Sequence, residues 1–210
     1  MKKSVLLIII VFITIISCKE EKTSTRQKIE KPKELIKQKE KTQKKDVIIW
    51  RGYKPTGSHV GTIDVKSANF KFDGDNLVSG KVIFDMNTIK DIDLKDAGDN
   101  ADLVNHLKST DFFDVVTNPT ASFIFNKVSS DKEGQLNIKG NLTLNGITKE
   151  INFPASIIKD VNGTKTLKSK IIKIDRTSFG VKFKSKKFFA NLKDKFINDE
   201  FDIAFKLVIK

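Results

Sequence analysis

Few side chains in this sequence are equipped for chemistry. Among 210 residues there are two histidines, His59 and His106, and a single cysteine, Cys18. His59 lies in SHVGTIDV, where it shares a phase with Gly61, Ile63 and Val65 while Ser58, Thr62 and Asp64 take the opposite face. An imidazole on an apolar face can hydrogen-bond a ligand headgroup, or it can be a core histidine with its ring satisfied. His106 directly precedes Leu107 in an amphipathic stretch and reads as a partly exposed structural group. Ser58 beside His59 is not part of a triad, because neighbours on a strand point to opposite faces. The histidines are far apart and no His-x-x-x-His spacing occurs, so no metal site, no cofactor and no catalytic residue is expected. Arg176, in IDRTSFG, shares a phase with Ile172 and Ile174. Its guanidinium suits a phosphate headgroup or a buried pair with a carboxylate.

The elements that must position these groups begin well inside the chain. The opening residues, MKKSVLLIIIVFITIISC, place Lys2 and Lys3 before an apolar run from Val5 to Ile16. That run is short for a bilayer span but suits a secretory signal. Ile15, Ile16 and Ser17 before Cys18 resemble the lipobox of bacterial lipoproteins, so residues 1–17 are expected to be a signal peptide and Cys18 the lipidated anchor in a bacterial envelope. Residues 18–46 contain no glycine or aromatic residue and are rich in Lys and Glu. They cannot bury enough surface to offset the entropy of ordering and are expected to be a charged tether. Lys19, Glu20 and Glu21 resemble a signal that sends some lipoproteins to the cell surface.

The formal charge of +13 divides into +2 for residues 1–17, +5 for 18–46 and +6 for 47–210. A lipidated envelope protein meets anionic headgroups first. With Arg26, Arg51 and Arg176 as the only arginines, nucleic acid is not an expected partner.

Residues 47–210 are enough for one domain with a sizeable core. Alternating apolar and polar residues predict strands at 47–50, 58–66, 69–73, 77–86, 121–128, 135–144, 147–158, 166–175 and 200–210. The stretch KGNLTLNGITKEINFP holds Asn145 and Gly146 between two alternating runs, the signature of a type I′ hairpin. Leu103, Val104 and Leu107 form a helical stripe after Asp99 or Asn100 as N-cap, and a shorter amphipathic piece is expected over 188–196. Eight or nine antiparallel strands with one helix imply an all-β barrel or sandwich. Sixteen phenylalanines against one tryptophan and one tyrosine fit either an ordinary core or an apolar cavity for a chain-like ligand.

Five blocks then occur in order: WRGYKPTGSHVGTIDV, VSGKVIFDMNTIKDIDL, LVNHLKSTDFFDVVTNPTASF, GNLTLNGITKEINFP and IDRTSFGVKFKSKKFFANLKDKFINDEFDI. Together they resemble the YceI-like family over nearly all of residues 47–210. The resemblance implies a lipocalin-like extended antiparallel β-barrel carrying a helix, and a polyisoprenoid or other long-chain amphiphile held in an elongated apolar pore. On that basis Leu142, Leu144, Ile151 and Phe153 of the hairpin, with Phe84, Phe123 and Phe205 on other alternating strands, are the expected pore wall. His59 and Arg176 are the headgroup candidates. The competing reading is a scaffold lipoprotein whose barrel is filled by its own side chains.

Overall fold

A computed structural model describes residues 46–209. The expected signal peptide, Cys18 and nearly all of the tether lie outside the described residues. The domain has nine strands: β1 Val47–Lys54, β2 Gly57–Asp73, β3 Asn76–Asp91, β4 Thr120–Ser130, β5 Leu136–Leu144, β6 Ile147–Lys159, β7 Lys165–Ser169, β8 Ile172–Asp175 and β9 Glu200–Ile209. Helix α1, Ala97–Lys108, joins β3 to β4, and a 3-10 turn, Arg176–Phe179, follows β8.

Each strand pairs antiparallel with the next from β1 to β7, β7 pairs with β9, and β9 returns to β1, with Ile49 opposite Ala204. The short β7 and β8 lie one after the other along the same edge of β9, so the ring is an eight-stranded closed barrel. Closure removes the free edges that an open sheet would expose. Pro154 fits this interruption. Its carbonyl accepts from Lys170 N at 3.0 Å, so the side of β6 on which proline lacks a donor faces the break between β7 and β8.

The hairpin is formed as its residues dictate. Asn145 has φ 51° and Gly146 φ 72°, and Leu144 pairs with Ile147. Asn145 also ties the turn down, donating from Nδ2 to Phe179 O at 3.1 Å and accepting from Asn118 Nδ2 at 3.1 Å.

Several boundaries differ from expectation: the stretch 166–175, expected as one strand, is divided into β7 and β8, and β1 and β3 run on to Lys54 and Asp91. The segments 58–66 and 69–73 are one long strand, β2, which bends through three irregularities in its pairing with β3. The helix is capped by Asp96 rather than Asp99 or Asn100. Its carboxylate accepts from the backbone N–H of Gly98 and Asp99 at 2.9 Å, leaving Asp99 in the first turn where a negative charge is also favourable. Residues 188–196 are not helical but belong to a long connection between the 3-10 turn and β9.

Arg176 fastens that connection. Its side chain is buried, and it donates from Nε to Asn198 O at 2.9 Å, from Nη1 to Val181 O at 2.9 Å and from Nη2 to Ile197 O at 3.0 Å. Asp199 Oδ1 lies 3.7 Å from Nη2. One guanidinium thus closes both ends of the loop, Val181 and residues 197–199.

Inside the barrel, room for large rings comes from glycine. Phe125 pairs with Gly80 on one side and Gly140 on the other. A methyl group at Gly140 would stand 2.5 Å from Ile124 O and 2.6 Å from Phe125 Cβ. Gly140→Ala should therefore cost about 1–3 kcal/mol through overpacking. Gly52→Ala, where a Cβ meets nothing within 4 Å, should stay within about 0.5 kcal/mol. Denaturant midpoints of the two variants check the contrast. Arg176→Lys should cost about 2–4 kcal/mol by leaving buried carbonyls unpaired. It should also open the 181–199 connection to trypsin before global unfolding. Unchanged cleavage would show that the clasp does not hold the loop.

Candidate functional site

The inward faces of the strands do not fill the barrel. They surround a cavity of about 130 Å³ whose wall is almost wholly apolar. All seven residues named as a pore wall, Phe84, Phe123, Leu142, Leu144, Ile151, Phe153 and Phe205, border this one cavity. They arrive there because the period of a strand is two. Leu142 and Leu144 lie on one face of β5, and Ile151 and Phe153 lie on the corresponding face of β6. The rings touch one another across the strands. Phe123 and Phe153 have centroids 5.3 Å apart, and Phe153 meets Phe205 edge-on at 5.5 Å.

Other wall residues were not singled out from sequence. Phe125 follows Phe123 at the same phase and could have been found by alternation. Trp50 packs against Gly61, its partner on β2. Phe112 and Phe113 come from the irregular segment after α1, where no periodicity marks them.

Polar groups reach the wall at one end, where Tyr53, Asn198 and Arg176 stand. Tyr53 Oη donates to Asp202 Oδ2 at 2.7 Å, and Lys173 Nζ donates to Asp202 Oδ1 at 3.0 Å. Burial, and then the bond to the Asp202 carboxylate, push the Tyr53 hydroxyl up to about 12. Tyr53 therefore remains a neutral donor. Arg176, for which the sequence offers either a phosphate headgroup or a buried carboxylate pair, lies at the cavity's end with its protons turned to the protein and Asp199 beside it. Burial pulls its pKa down, Asp199 and Asp175 oppose the fall, and three of its N–H groups are taken by backbone carbonyls.

His59, the other headgroup candidate, does not border the cavity. Its Nδ1 lies 3.5 Å from Asp93 Oδ2, and His59, Asp91 and Asp93 each bring one possible ligand atom within 4.8 Å of the others. Asp91 is 7% exposed, and its Oδ1 accepts from Asp93 N, Leu94 N and Asn100 Nδ2, while Oδ2 has no hydrogen-bond partner. Burial, then the Asp93 side chain, push the Asp91 carboxyl up. The cluster is thus able to share a proton or to hold a divalent cation with open positions. No metal site was expected from two distant histidines; the cluster joins His59 of β2 with Asp91 at the end of β3 and Asp93 just beyond it. His106 sits on α1 with Nε2 3.0 Å from Asp111 Oδ2 and its ring edge-on to Phe112 and Phe183, a structural placement.

The comparisons with known proteins fit this geometry. UPF0312 proteins are similar over part of the sequence. One from Ectopseudomonas mendocina is 36% identical over 121 residues, covering 52% of this chain and 61% of the relative. One from Vibrio vulnificus is 33% identical over 107 residues, covering 48% and 54%. The chain spans about half the length of the curated relatives it matches. Among solved structures, Burkholderia cenocepacia BcnA superposes with TM-score 0.63 at 21% identity, covering 79% of this chain and 96% of that one. A polyisoprenoid binding domain from Saccharophagus degradans superposes with TM-score 0.57 at 11% identity, covering 78% and 92%. At these identities the structures speak for the fold. The YceI-like domain model matches residues 42–209, which include every strand of the barrel, and the chain belongs to that family.

Proposed function

We propose that the domain is a non-catalytic lipid-binding protein that holds the chain of a polyisoprenoid or similar long amphiphile inside the barrel. The observation that carries this reading is the continuous apolar wall, with polar side chains gathered at one end near Tyr53 and Asn198. Such a lining matches a molecule with a long hydrocarbon body and one polar head. The likeness to a polyisoprenoid binding domain supports the same ligand class. A cavity of about 130 Å³ is close to the ~150 Å³ that admits a benzene ring. A long chain therefore enters only as Phe123, Phe153 and Phe205 turn out of its path.

The contacts among those rings also favour a second reading, a scaffold whose barrel is filled by its own side chains. Leu144→Trp separates the two. In the lipid-binding reading the new ring fills part of the cavity, so the variant folds at tolerable cost and takes up less of a fluorescent long-chain lipid than the wild type. In a filled barrel it overpacks, costing about 1–3 kcal/mol or more with no ligand to lose. Severe destabilisation, together with no uptake by the wild type, would leave the scaffold.

The N-terminal sequence supports a role in the envelope, in carriage, storage or sequestration of the ligand. Acyl chains on Cys18, more than one for stable attachment, hold the protein to a Gram-negative membrane, in the outer membrane facing the periplasm or at the cell surface. Cys18→Ser is expected to move the protein into the soluble envelope fraction on cell fractionation. Full retention of the variant in the membrane would point to an uncleaved apolar anchor instead.

A further inference from the structure

Residues 47–210 carry 26 Lys and Arg and 20 Asp and Glu, a net +6. Residues 182–195, fourteen positions of the connection fastened by Arg176, hold Lys182, Lys184, Lys186, Lys187, Lys193 and Lys195 against Asp194 alone, a net +5. Nearly all the excess positive charge of the domain is thus on one loop at one end of the barrel. All six lysines are exposed. Among the described residues only Lys187 is paired with carboxylates, those of Asp175 at 2.7 Å and Asp199 at 3.5 Å.

Within this basic loop stand two phenylalanines, Phe188 and Phe189, 49% and 48% exposed. They are not loosely hung. Their backbone N–H groups both donate to Ser185 O, at 3.1 and 2.9 Å, and the Ser185 side chain is fully buried and accepts from Lys187 N at 3.1 Å. Ile197 N bonds Lys184 O at 2.9 Å across the loop. Lys182 Nζ stands 4.9 Å from the Phe188 ring, setting an ammonium beside an exposed aromatic. Lys184 and Lys186 stand over the Phe183 and Phe196 rings at 5.1 and 3.6 Å, so the fold holds two half-exposed apolar rings amid cations of which, among the described residues, only Lys187 has a carboxylate partner.

We infer that residues 182–195 are a docking surface for a membrane bearing anionic phospholipid. Rings of this kind bury at the boundary between headgroups and acyl chains, while flanking lysines meet lipid phosphates. The loop contains no arginine for bidentate contacts to nucleic acid. Its base, at Ile197 and Asn198, also forms part of the cavity wall. On the lipid-binding reading, a docked loop sets that end of the cavity against the membrane from which an amphiphile is taken or to which it is given.

Phe189→Trp in the full chain tests the surface directly. Trp50, the native tryptophan, is 7% exposed, so the new indole reports on the loop. The probe is its quenching by brominated phosphatidylcholine, in vesicles with and without phosphatidylglycerol. The N-terminal segment is the same in every variant and contributes equally to background attachment. Strong quenching is expected in the mixed vesicles, with little in phosphatidylcholine alone. Adding Lys182→Gln, Lys184→Gln and Lys186→Gln should weaken the mixed-vesicle response by roughly 100-fold in apparent affinity. Thermal melts that match the parent chain confirm that folding is not the cause. An indole that stays unquenched, quenching that ignores phosphatidylglycerol and the lysines, or preferential binding of an oligonucleotide would each overturn the inference. Uptake of fluorescent lipid from detergent is measured separately. Its persistence without docking removes only this surface, and its absence with docking intact removes only the lipid-carrying role.

Discussion

The structure depends on the pairing of β1 with both β2 and β9. Until that ring closes, an apolar face on each strand has nothing to cover it, and two edges of unpaired backbone are exposed. Once closed, every inward face looks at another inward face. Polar groups can then be left out of most of the interior, because the backbone has already satisfied itself around the ring. The hairpin from β5 to β6 shows the consequence. Alone it would be a ribbon with one greasy side, whereas in the ring that side, with Ile138 and Phe153 buried, becomes wall.

How much space the ring encloses is decided by small residues as much as by large ones. Phe125 lies between Gly80 and Gly140, and Trp50 lies over Gly61. These glycines let the sheet bring big rings inward without forcing the strands apart. The outcome is neither a close-packed core nor an empty tube. Phe123, Phe125, Phe153 and Phe205 meet as a chain of ring contacts around a modest cavity. Side chains with few torsions and broad apolar faces are suited to yielding that space to another apolar chain.

Much of this was legible in the sequence, for a physical reason. Alternation with period two survives wherever a strand has one wet face, and it located the strand regions, although it read β2 as two segments and β7 with β8 as one; the seven wall candidates, named on the family resemblance, all border the cavity. Alternation failed where backbone position is set by partners distant in sequence. The bends of β2 depend on β3, with Thr88 Oγ1 accepting from Asp64 N at 2.8 Å. The cap at Asp96 belongs to a helix that starts earlier than its apolar stripe. Phe188, Leu192 and Phe196 have helical spacing, yet Lys184, Asn191 and Lys193 adopt φ of 47°, 61° and 50°, and the segment turns instead of coiling. The approach of Asp91 and Asp93 to His59 is a tertiary fact that no local pattern announces.

Arg176 shows how the fold divides its cations. A guanidinium inside a barrel suits, from alternation alone, either a ligand headgroup or a buried structural partner. Here desolvation makes a free guanidinium costly, and the carbonyls of Val181, Ile197 and Asn198 offset that cost by accepting its protons. The same carbonyls would be orphaned without it, so the cation and the loop each make the other tolerable. Lysines that cannot be satisfied this way are held outside, on the loop that Arg176 closes. A buried charge spent on shape is therefore what keeps a ridge of unspent charge in place at the end of the cavity.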